Sequence, residues 1–250
     1  MISYQQKKIE IKHRFQQNKN KTNQNSEIIQ TLLKKNKNEK YSLCGCMIVK
    51  NEAHIIHESL NTLLPYIDCW CISDTGSTDG TQDIIKQFFA DHHVPGYLVQ
   101  TTWPNHFGKA RSAALDKCYG LSHFVFMFDA DDIIHGNITI PDWKNLEADA
   151  FKCRFGGGEF AYWRLSIFRN DGSWRYEGIL HEFPTNGKII SEQKIEILEG
   201  DYYIDSRRLG ARSKQADKYL KDAQTLLKEH GKNPDDKRTI FYLAVFLFVV

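Results

Sequence analysis

Three carboxylates within four positions, Asp129, Asp131 and Asp132, directly follow the apolar run 124–128. An apolar run rich in aromatic residues is typical of a strand that is buried on both faces of a parallel sheet. Carboxylates this close disfavour one another's ionised forms unless a cation lies among them. Oxygen ligands at alternate positions suit Mg²⁺ or Mn²⁺, usually together with substrate phosphates. The stretch predicts a divalent-metal site for a phosphorylated ligand; the alternative is an acidic turn that closes the strand.

Apolar periodicity predicts strands and helices in alternation ahead of these carboxylates. Strands are predicted at residues 42–49, 69–73 and 96–101 and at the run 124–128, and the last of the intervening helices covers about 107–118. This order is the βαβ pattern of a parallel sheet with right-handed crossovers. The first half of the chain is therefore predicted to be an α/β layer structure.

The residues of this half whose side chains could bind a ligand or take part in catalysis lie just past the strand ends. Asn51 and Glu52 follow the first strand, Asp74 follows the second, and Asp129 and Asp131 follow the run 124–128. The carboxyl ends of parallel strands share one edge of the sheet, and ligands of open α/β folds bind in the crevice beyond that edge. We therefore expect these five side chains to converge on one site.

Beyond residue 140 the pattern changes to a mixed sheet and then to helices. Asn170-Asp171-Gly172 is a hairpin turn signal. A basic loop at 206–213 is open to two interpretations, a segment that closes over a diphosphate or a solvated linker. The remaining elements are strands at about 148–155, 162–168 and 194–198 and helices at about 214–230 and 237–250.

The N-terminal residues 1–40 carry ten Lys and Arg against three Asp and Glu. A basic arm can contact nucleic acid or an anionic membrane. This one is poor in aromatic residues and has no sustained periodicity, which favours a flexible, solvated tail. No stretch of about 20 apolar residues and no apolar core of a secretory signal is present. We expect a cytoplasmic protein with no transmembrane segment and no nucleic-acid partner.

Two cysteine pairs, Cys44 with Cys46 and Cys69 with Cys71, resemble paired metal ligands. Structural zinc sites usually take such pairs from tight turns with two to four intervening residues. A one-residue gap within a strand instead puts both sulfurs on one face. Small buried thiols on adjacent strands, in a reducing compartment, are therefore predicted, with a zinc site as the alternative.

Six segments, in order, resemble the inverting GT-A glycosyltransferases of family 2, especially members followed by tetratricopeptide repeats. The segments are MIVKNE at 47–52, DTGSTDGT at 74–81, KARS at 109–112, DADD at 129–132, WRYEGILHE at 174–182 and NPDD at 233–236. The resemblance implies an α/β GT-A fold, a Rossmann-like parallel and mixed sheet flanked by helices, with a C-terminal helical tail. It also implies transfer of a sugar from a nucleoside diphosphate sugar, most simply a UDP-sugar, to a glycan, protein or lipid acceptor.

The same resemblance assigns the site residues. The donor-binding residues would be Val49, Asn51, Glu52, Asp74, Gly76, Asp79, Lys109, Arg111, Asp129 and Ala130. Asp74 would accept from the base and Asp129 from the ribose, since imide N–H groups and hydroxyls both donate to carboxylates. In the DxD motif Asp131 would bind Mn²⁺ or Mg²⁺, with Asp129 and His181 as further metal candidates. The cation would absorb the charge of the leaving diphosphate.

Inversion also needs a carboxylate that deprotonates the acceptor hydroxyl. Glu182 is the first candidate because it lies in the segment 174–182, and Asp171 is the second, although its turn signal gives it a structural role too. His181 is either a metal or phosphate contact or a structural residue.

The resulting organisation has four segments. They are a tail at 1–40, a nucleotide-sugar-binding half at 41–140, an acceptor-side mixed sheet at 141–205, and a loop with a helical tail at 206–250 that resembles a truncated repeat. Two other functions remain open at this point. One is a non-catalytic nucleotide-sugar or glycan-binding module, and the other is a phosphohydrolase with Asp129 as its nucleophile.

Overall fold

The computed structural model describes residues 41–157 and 160–247, and the predicted tail at 1–40 lies outside them. Its first half alternates strands with helices, as predicted. The elements are β1 (Tyr41–Val49), α1 (Ile56–Leu63), β2 (Cys69–Asp74), α2 (Thr81–Asp91), β3 (Gly96–Gln100), α3 (Phe107–Cys118) and β4 (Ser122–Met127). All four strands are parallel, in the order β3-β2-β1-β4.

The helices cover this sheet because one stripe of each is apolar. In α1, Ile56, Leu60 and Leu63 are buried at a spacing of three or four residues, which is the period of a helix face. Burial of each such side chain stabilises the fold by roughly 1.5–3 kcal/mol. The strands are buried on both faces, which accounts for the continuous apolar run in β4.

The second half of the sheet is mixed, as predicted. It contains β5 (Asp132–Ile138), β6 (Ala150–Phe155), β7 (Tyr162–Arg169), β10 (Ile195–Ile197) and β11 (Gly200–Ser206). The order along the sheet continues β4-β7-β6-β11-β5, with β10 paired to β6, and β7 is antiparallel to β4. A separate two-stranded sheet is formed by β8 (Arg175–Glu177) and β9 (Phe183–Thr185). The predicted α/β fold with a parallel and mixed sheet is confirmed.

The prediction that residues 170–172 form the turn of a β-hairpin was wrong. The strand before this turn, β7, pairs with β4 and β6, whereas the strand after it, β8, pairs only with β9. The Asn170 side chain is buried and donates to Cys118 O at 2.7 Å, so the turn fastens the chain to the end of α3. Turn residues fix the local bend, but long-range contacts decide which strand pairs with which.

Two C-terminal helices complete the described chain, α4 (Lys218–Lys232) and α5 (Lys237–Leu247). The first begins later than predicted because Ala211–Lys214 forms a 3₁₀ turn. It passes through Gly231 and ends before Asn233, since the residue preceding a proline disfavours helical backbone. The prediction for 248–250 lies outside the described residues. Among the helices of residues 41–157 and 160–247, none has the length and apolar character that a membrane span requires.

The cysteine pairs lie side by side on neighbouring strands. Cys44 is in register with Cys69, and Cys46 is in register with Cys71. All four are buried free thiols in the layer between the sheet and α3, where Cys118 joins them. They fill space in the apolar core as small buried side chains.

Candidate functional site

A cavity of about 500 Å³ lies beyond the carboxyl ends of β1 and β4. Part of its wall is made of residues selected from the sequence, namely Val49, Asn51, Glu52, Arg111, Asp129, Ala130 and Asp131. Trp103 and Phe107 line it as well, and further lining residues come from Ile48, Lys50, Thr75 and the stretch 206–215. The parallel topology thus brings residues from 49 to 131 to a single pocket.

Two carboxylates from different strand ends, Glu52 and Asp131, face the same backbone turn. Asp131 Oδ2 accepts from the Gly210 N–H at 2.9 Å, and Glu52 Oε2 accepts from the Ala211 N–H at 3.1 Å. Burial raises the pKa of Glu52, the Ala211 N–H opposes that shift, and the charge of Asp131 adds to it. The basic loop at 206–213 was open to two interpretations, a segment that closes over a diphosphate or a solvated linker. In the structure this loop lies against the carboxylates of the pocket.

Arg111, on α3, joins the end of β4 to the segment after β8. Its Nη2 lies 2.6 Å from Asp129 Oδ1 and its Nε lies 2.6 Å from Glu182 Oε1. Burial lowers the pKa of Arg111, but the two carboxylates outweigh burial and raise it, so the side chain is a cation. Glu182 does not line the cavity itself; it stands behind Arg111, which does. The strongest acid–base candidate is therefore held one side chain away from the pocket.

Arg164, which was not among the predicted site residues, extends this chain of charges. Its Nη2 lies 3.1 Å from Asp132 Oδ2 and 3.5 Å from Asp129 Oδ2, and its guanidinium lies 3.8 Å from the centre of the Phe155 ring. Burial raises the pKa of Asp129, but Arg111 and then Arg164 outweigh burial and hold it below its usual value. For Asp132, burial and the charge of Asp129 raise the pKa to about 7. An arginine inside a mostly apolar strand was the available signal, because buried charges require partners.

The loop 74–81 is fastened by its own polar groups. Asp74 Oδ1 accepts from Gly76 N and Ser77 N, each at 2.9 Å, and from Gln82 Nε2 at 2.9 Å. Its Oδ2 is buried and has no hydrogen-bond partner within the described ranges. Gly76 has φ 106°, a left-handed backbone angle that glycine adopts at little cost. Asp74 is paired in register with Val49, so it lies beside the cavity wall rather than on it.

Asp79 and Asn51 connect this loop to the end of β1. Asp79 accepts from Ala53 N at 3.0 Å and from the Thr81 hydroxyl at 2.6 Å, and Asn51 Oδ1 accepts from Thr78 N at 2.8 Å. Burial raises the pKa of Asp79, but the hydrogen bonds from Thr81 and Ala53 outweigh burial and lower it. These contacts hold two loops in place around the pocket.

Several predicted site residues are not brought to the cavity. Asp171 accepts from Ser173 in its own turn and lies near the start of β4, at the opposite edge of the sheet from Asp129. Lys109 is exposed and does not line the cavity. The His181 ring stacks on Tyr242 at 4.0 Å between ring centres, so the structure does not bring it to Asp131.

The predicted metal ligands differ in what their oxygen atoms face. Both oxygens of Asp129 face arginines. Of the two predicted aspartate ligands, Asp131 is therefore the one whose carboxylate faces the loop at the pocket. No group of three or more His, Cys, Asp or Glu side chains in the described part of the chain is arranged to hold a metal ion. Mg²⁺ and Mn²⁺ are often bound through one or two carboxylates plus substrate phosphates and water, and Asp131 fits that role with Glu52 close by.

The first turn of α3, which leads to Arg111, is capped by a histidine. His106 Nδ1 accepts from Lys109 N at 3.2 Å, and this bond requires that nitrogen to be unprotonated. Burial, and then the charge of Lys109, lower the pKa of His106 below its usual value of about 6.5. The folded state therefore binds this proton less readily than the unfolded chain does.

We expect the stability gained from this cap to be present above about pH 6.5 and to be lost as pH falls toward the lowered pKa. Substitution His106→Asn supplies a cap that does not titrate, so it should flatten the dependence of Tm on pH between 5.5 and 7.5. A cap is worth about 1 kcal/mol, or about 2–4 °C of Tm in a chain of this size. Thermal unfolding of both proteins across this range is the measurement; equal slopes would contradict the capping role.

Comparison with known proteins agrees with the resemblance noted in the sequence. A sequence model described as Glycosyl transferase family 2 matches residues 45–151. A TPR repeat-containing protein of Synechococcus elongatus is 28% identical over 160 residues, covering 60% of this chain and 37% of that protein. The SPbeta prophage-derived glycosyltransferase SunS of Bacillus subtilis is 29% identical over 154 residues, covering 57% of this chain and 34% of that protein.

The chain thus spans about a third of the length of these curated relatives. Among solved structures, GalNAc-T7 with UDP, GalNAc and Mn²⁺ matches with a TM-score of 0.37 and 13% identity, covering 55% of this chain and 28% of that one. The family match runs from within β1 through β4 to the start of β6 and includes Asp129 and Asp131. The predicted resemblance is confirmed over the matched part of the chain: residues 45–151 are similar to the domain of glycosyltransferase family 2.

Proposed function

We propose that this chain transfers a sugar from a UDP-sugar to an acceptor hydroxyl with inversion, in the presence of Mn²⁺ or Mg²⁺. The observation that carries the proposal is the chain of ion pairs Asp129–Arg111–Glu182, in which Asp129 and Arg111 line a pocket at the strand ends and Glu182 lies behind Arg111. It joins residues suited to bind a nucleotide to a carboxylate suited to accept a proton.

The donor would lie with its nucleoside along the ends of β1 and β2. Asp74 lies beside the cavity wall, and its buried Oδ2 has no hydrogen-bond partner among the described residues, so an imide N–H of a base that reached it would satisfy it. Asp129 is kept ionised by its arginines and retains lone pairs for ribose hydroxyls. Trp103 and Phe107, in edge-to-face contact at 4.7 Å, add an aromatic wall.

Asp131, with Glu52 nearby, would hold the cation beside the diphosphate. When bound, Mn²⁺ or Mg²⁺ supplies positive charge to the leaving diphosphate. Arg208 and Arg212 of the basic loop also line the pocket and can contribute positive charge there. The two loop amides that now donate to Asp131 and Glu52 indicate that this corner attracts positive charge.

Glu182 would serve as the general base for the acceptor hydroxyl. In an inverting transfer the acceptor oxygen attacks the sugar from the side opposite the diphosphate, and a carboxylate takes its proton during the attack. Glu182 and Asp129 share Arg111, which sets the base a fixed distance from the nucleotide side of the site. The acceptor, a glycan, protein or lipid hydroxyl, would approach from the mixed-sheet half at 141–205. The six free thiols suit a reducing compartment, and we propose the cytoplasm as the location.

Incubation with a panel of nucleotide sugars, scored by release of nucleoside diphosphate, tests this proposal. We expect release from a UDP-sugar when Mn²⁺ or Mg²⁺ is present and its loss when the metal is removed with a chelator, because the leaving charge is then not balanced. Calorimetry of UDP with and without Mn²⁺ gives an independent readout. Absence of both release and metal-dependent UDP binding would remove the proposal, whereas binding without release would favour a non-catalytic nucleotide-sugar module.

A further inference from the structure

The segment that carries Glu182 has no regular secondary structure of its own. Residues 178–182 lie between β8 and β9, and two of them have left-handed backbone angles, Gly178 with φ 101° and His181 with φ 51°. A non-glycine residue in this region is uncommon and costs free energy that surrounding contacts must offset. The position of Glu182 therefore depends on what holds this segment from outside.

One support is the start of α3. Phe107 N donates to Ile179 O at 3.0 Å, and Gly108 N donates to Gly178 O at 3.1 Å. A Cβ on Gly108 would come within 2.6 Å of Gly178 O, so a glycine is required for this close approach. These bonds fix the first half of the segment to the helix that carries Arg111.

The second support is α5, and it acts on the residue next to Glu182. Arg238 donates to His181 O from Nε at 2.9 Å and from Nη2 at 2.5 Å. The Tyr242 ring stacks on the His181 ring at 4.0 Å with an interplanar angle of 8°. Arg238 and Tyr242 lie one turn apart on α5. Together they hold His181, which has the left-handed backbone angle, through its carbonyl and its ring.

An apolar cluster packs α4 and α5 against the segment 178–182. Leu180 is buried against α4 and α5, together with Leu226, Leu243 and Phe246. At the pocket side, Arg212 forms an ion pair with the buried Asp222 of α4 and lies 4.7 Å from the Phe107 ring. The two C-terminal helices thus contact the loop of the donor pocket as well as the segment with Glu182.

We propose that α4 and α5 are part of the catalytic unit, and that Arg238 and Tyr242 are positioning residues that set the orientation of Glu182 through His181. This inference rests on the proposed function. It gives the second helix of the predicted C-terminal helical tail a specific role. Any partner that shifts α5 would, by the same contacts, change transfer more than donor binding.

The first test separates catalysis from binding and from folding. Arg238→Met removes both hydrogen bonds to His181 O but keeps an unbranched apolar stem. We expect kcat for transfer to fall about 10- to 100-fold, the loss that misplacing a catalytic group by about 1 Å produces. We expect the Kd for UDP with Mn²⁺ to stay within twofold, because Arg238 does not line the pocket. Lys237→Met, which removes an exposed charge from the first position of α5, is the matched control and should leave kcat unchanged.

The second test asks whether Arg238 acts through Glu182. In the background Glu182→Gln, the further change Arg238→Met should have almost no effect on the residual rate, because residues that act as one unit are not additive. Tyr242→Phe, which keeps the stacked ring, should retain activity, whereas Tyr242→Ala should resemble Arg238→Met.

Equal, multiplicative losses in the two backgrounds would overturn the inference, and so would a rise in Kd that matches the loss in kcat. An unchanged kcat in Arg238→Met would do the same. A wild-type protein that neither binds UDP with metal nor releases it from a sugar donor would instead contradict the proposed function itself. The two failures are thereby distinguished.

Discussion

Replacing Glu182 by glutamine is expected to lower kcat for sugar transfer by about 10²- to 10⁴-fold, the usual contribution of a general base. Glutamine keeps an oxygen that can accept from Arg111 Nε, so the bond now made at 2.6 Å can remain. Arg111 also remains paired with Asp129, and no buried cation is left without a partner. The Kd for UDP with Mn²⁺ should therefore change little, and calorimetry beside a steady-state release assay measures both quantities.

Glu177→Gln is the matched control for this prediction. Glu177 lies on β8, a few residues before Glu182, and pairs with Arg175 at an exposed position. Its substitution removes the same charge from the same part of the chain and should leave kcat unchanged. If Glu182→Gln stays fully active, the base is another residue, and the role that we assign to α5 loses its basis.

Replacing Asp131 by asparagine is expected to remove the metal-dependent part of UDP binding. Asparagine has a similar shape, and its carbonyl oxygen can still accept from the Gly210 N–H that now lies 2.9 Å from Asp131 Oδ2. The loop should therefore keep its position while the charge that attracts the cation is lost. We expect UDP affinity in the presence of Mn²⁺ to fall by more than about 100-fold. Substitution of a residue that only supports a metal ligand already lowers metal affinity about 10- to 100-fold.

UDP affinity in a chelator provides the internal comparison for this variant and should match that of the wild type. Asp201→Asn is the matched control, because Asp201 is an exposed carboxylate on β11 that faces Asn137 in register. An Asp131→Asn protein that retains the full response of UDP binding to Mn²⁺ would exclude Asp131 as the residue that holds the metal.

The two variants also separate binding from chemistry. Asp131→Asn is expected to weaken the binding of the donor, whereas Glu182→Gln is expected to slow transfer from a donor that is still bound. Opposite behaviour of the pair, with Glu182→Gln weakening UDP binding and Asp131→Asn sparing it, would mean that the pocket is oriented differently from the arrangement proposed here. Such a result would leave the fold unaffected.

The sequence by itself determined the parallel half of the sheet and the group of residues at its edge. Alternating apolar periods located β1 to β4 and their helices, because strands and helices bury their faces at different spacings. The right-handed βαβ connection then placed the ends of the strands along one edge. From this alone Asn51, Glu52, Asp74, Asp129 and Asp131 were expected to meet. All of them except Asp74 line one cavity, and Asp74 lies beside its wall.

Only the tertiary structure decided which side chains pair with one another at that edge. Glu182 and Asp171 are both carboxylates near the same motif, yet one meets Arg111 and the other lies in a turn at the far edge of the sheet. The bond from Gly210 to Asp131 spans 79 residues, and that from Arg238 to His181 spans 57. Local periodicity fixes the face on which a residue lies, whereas such partners follow from how distant elements pack, which no local pattern encodes.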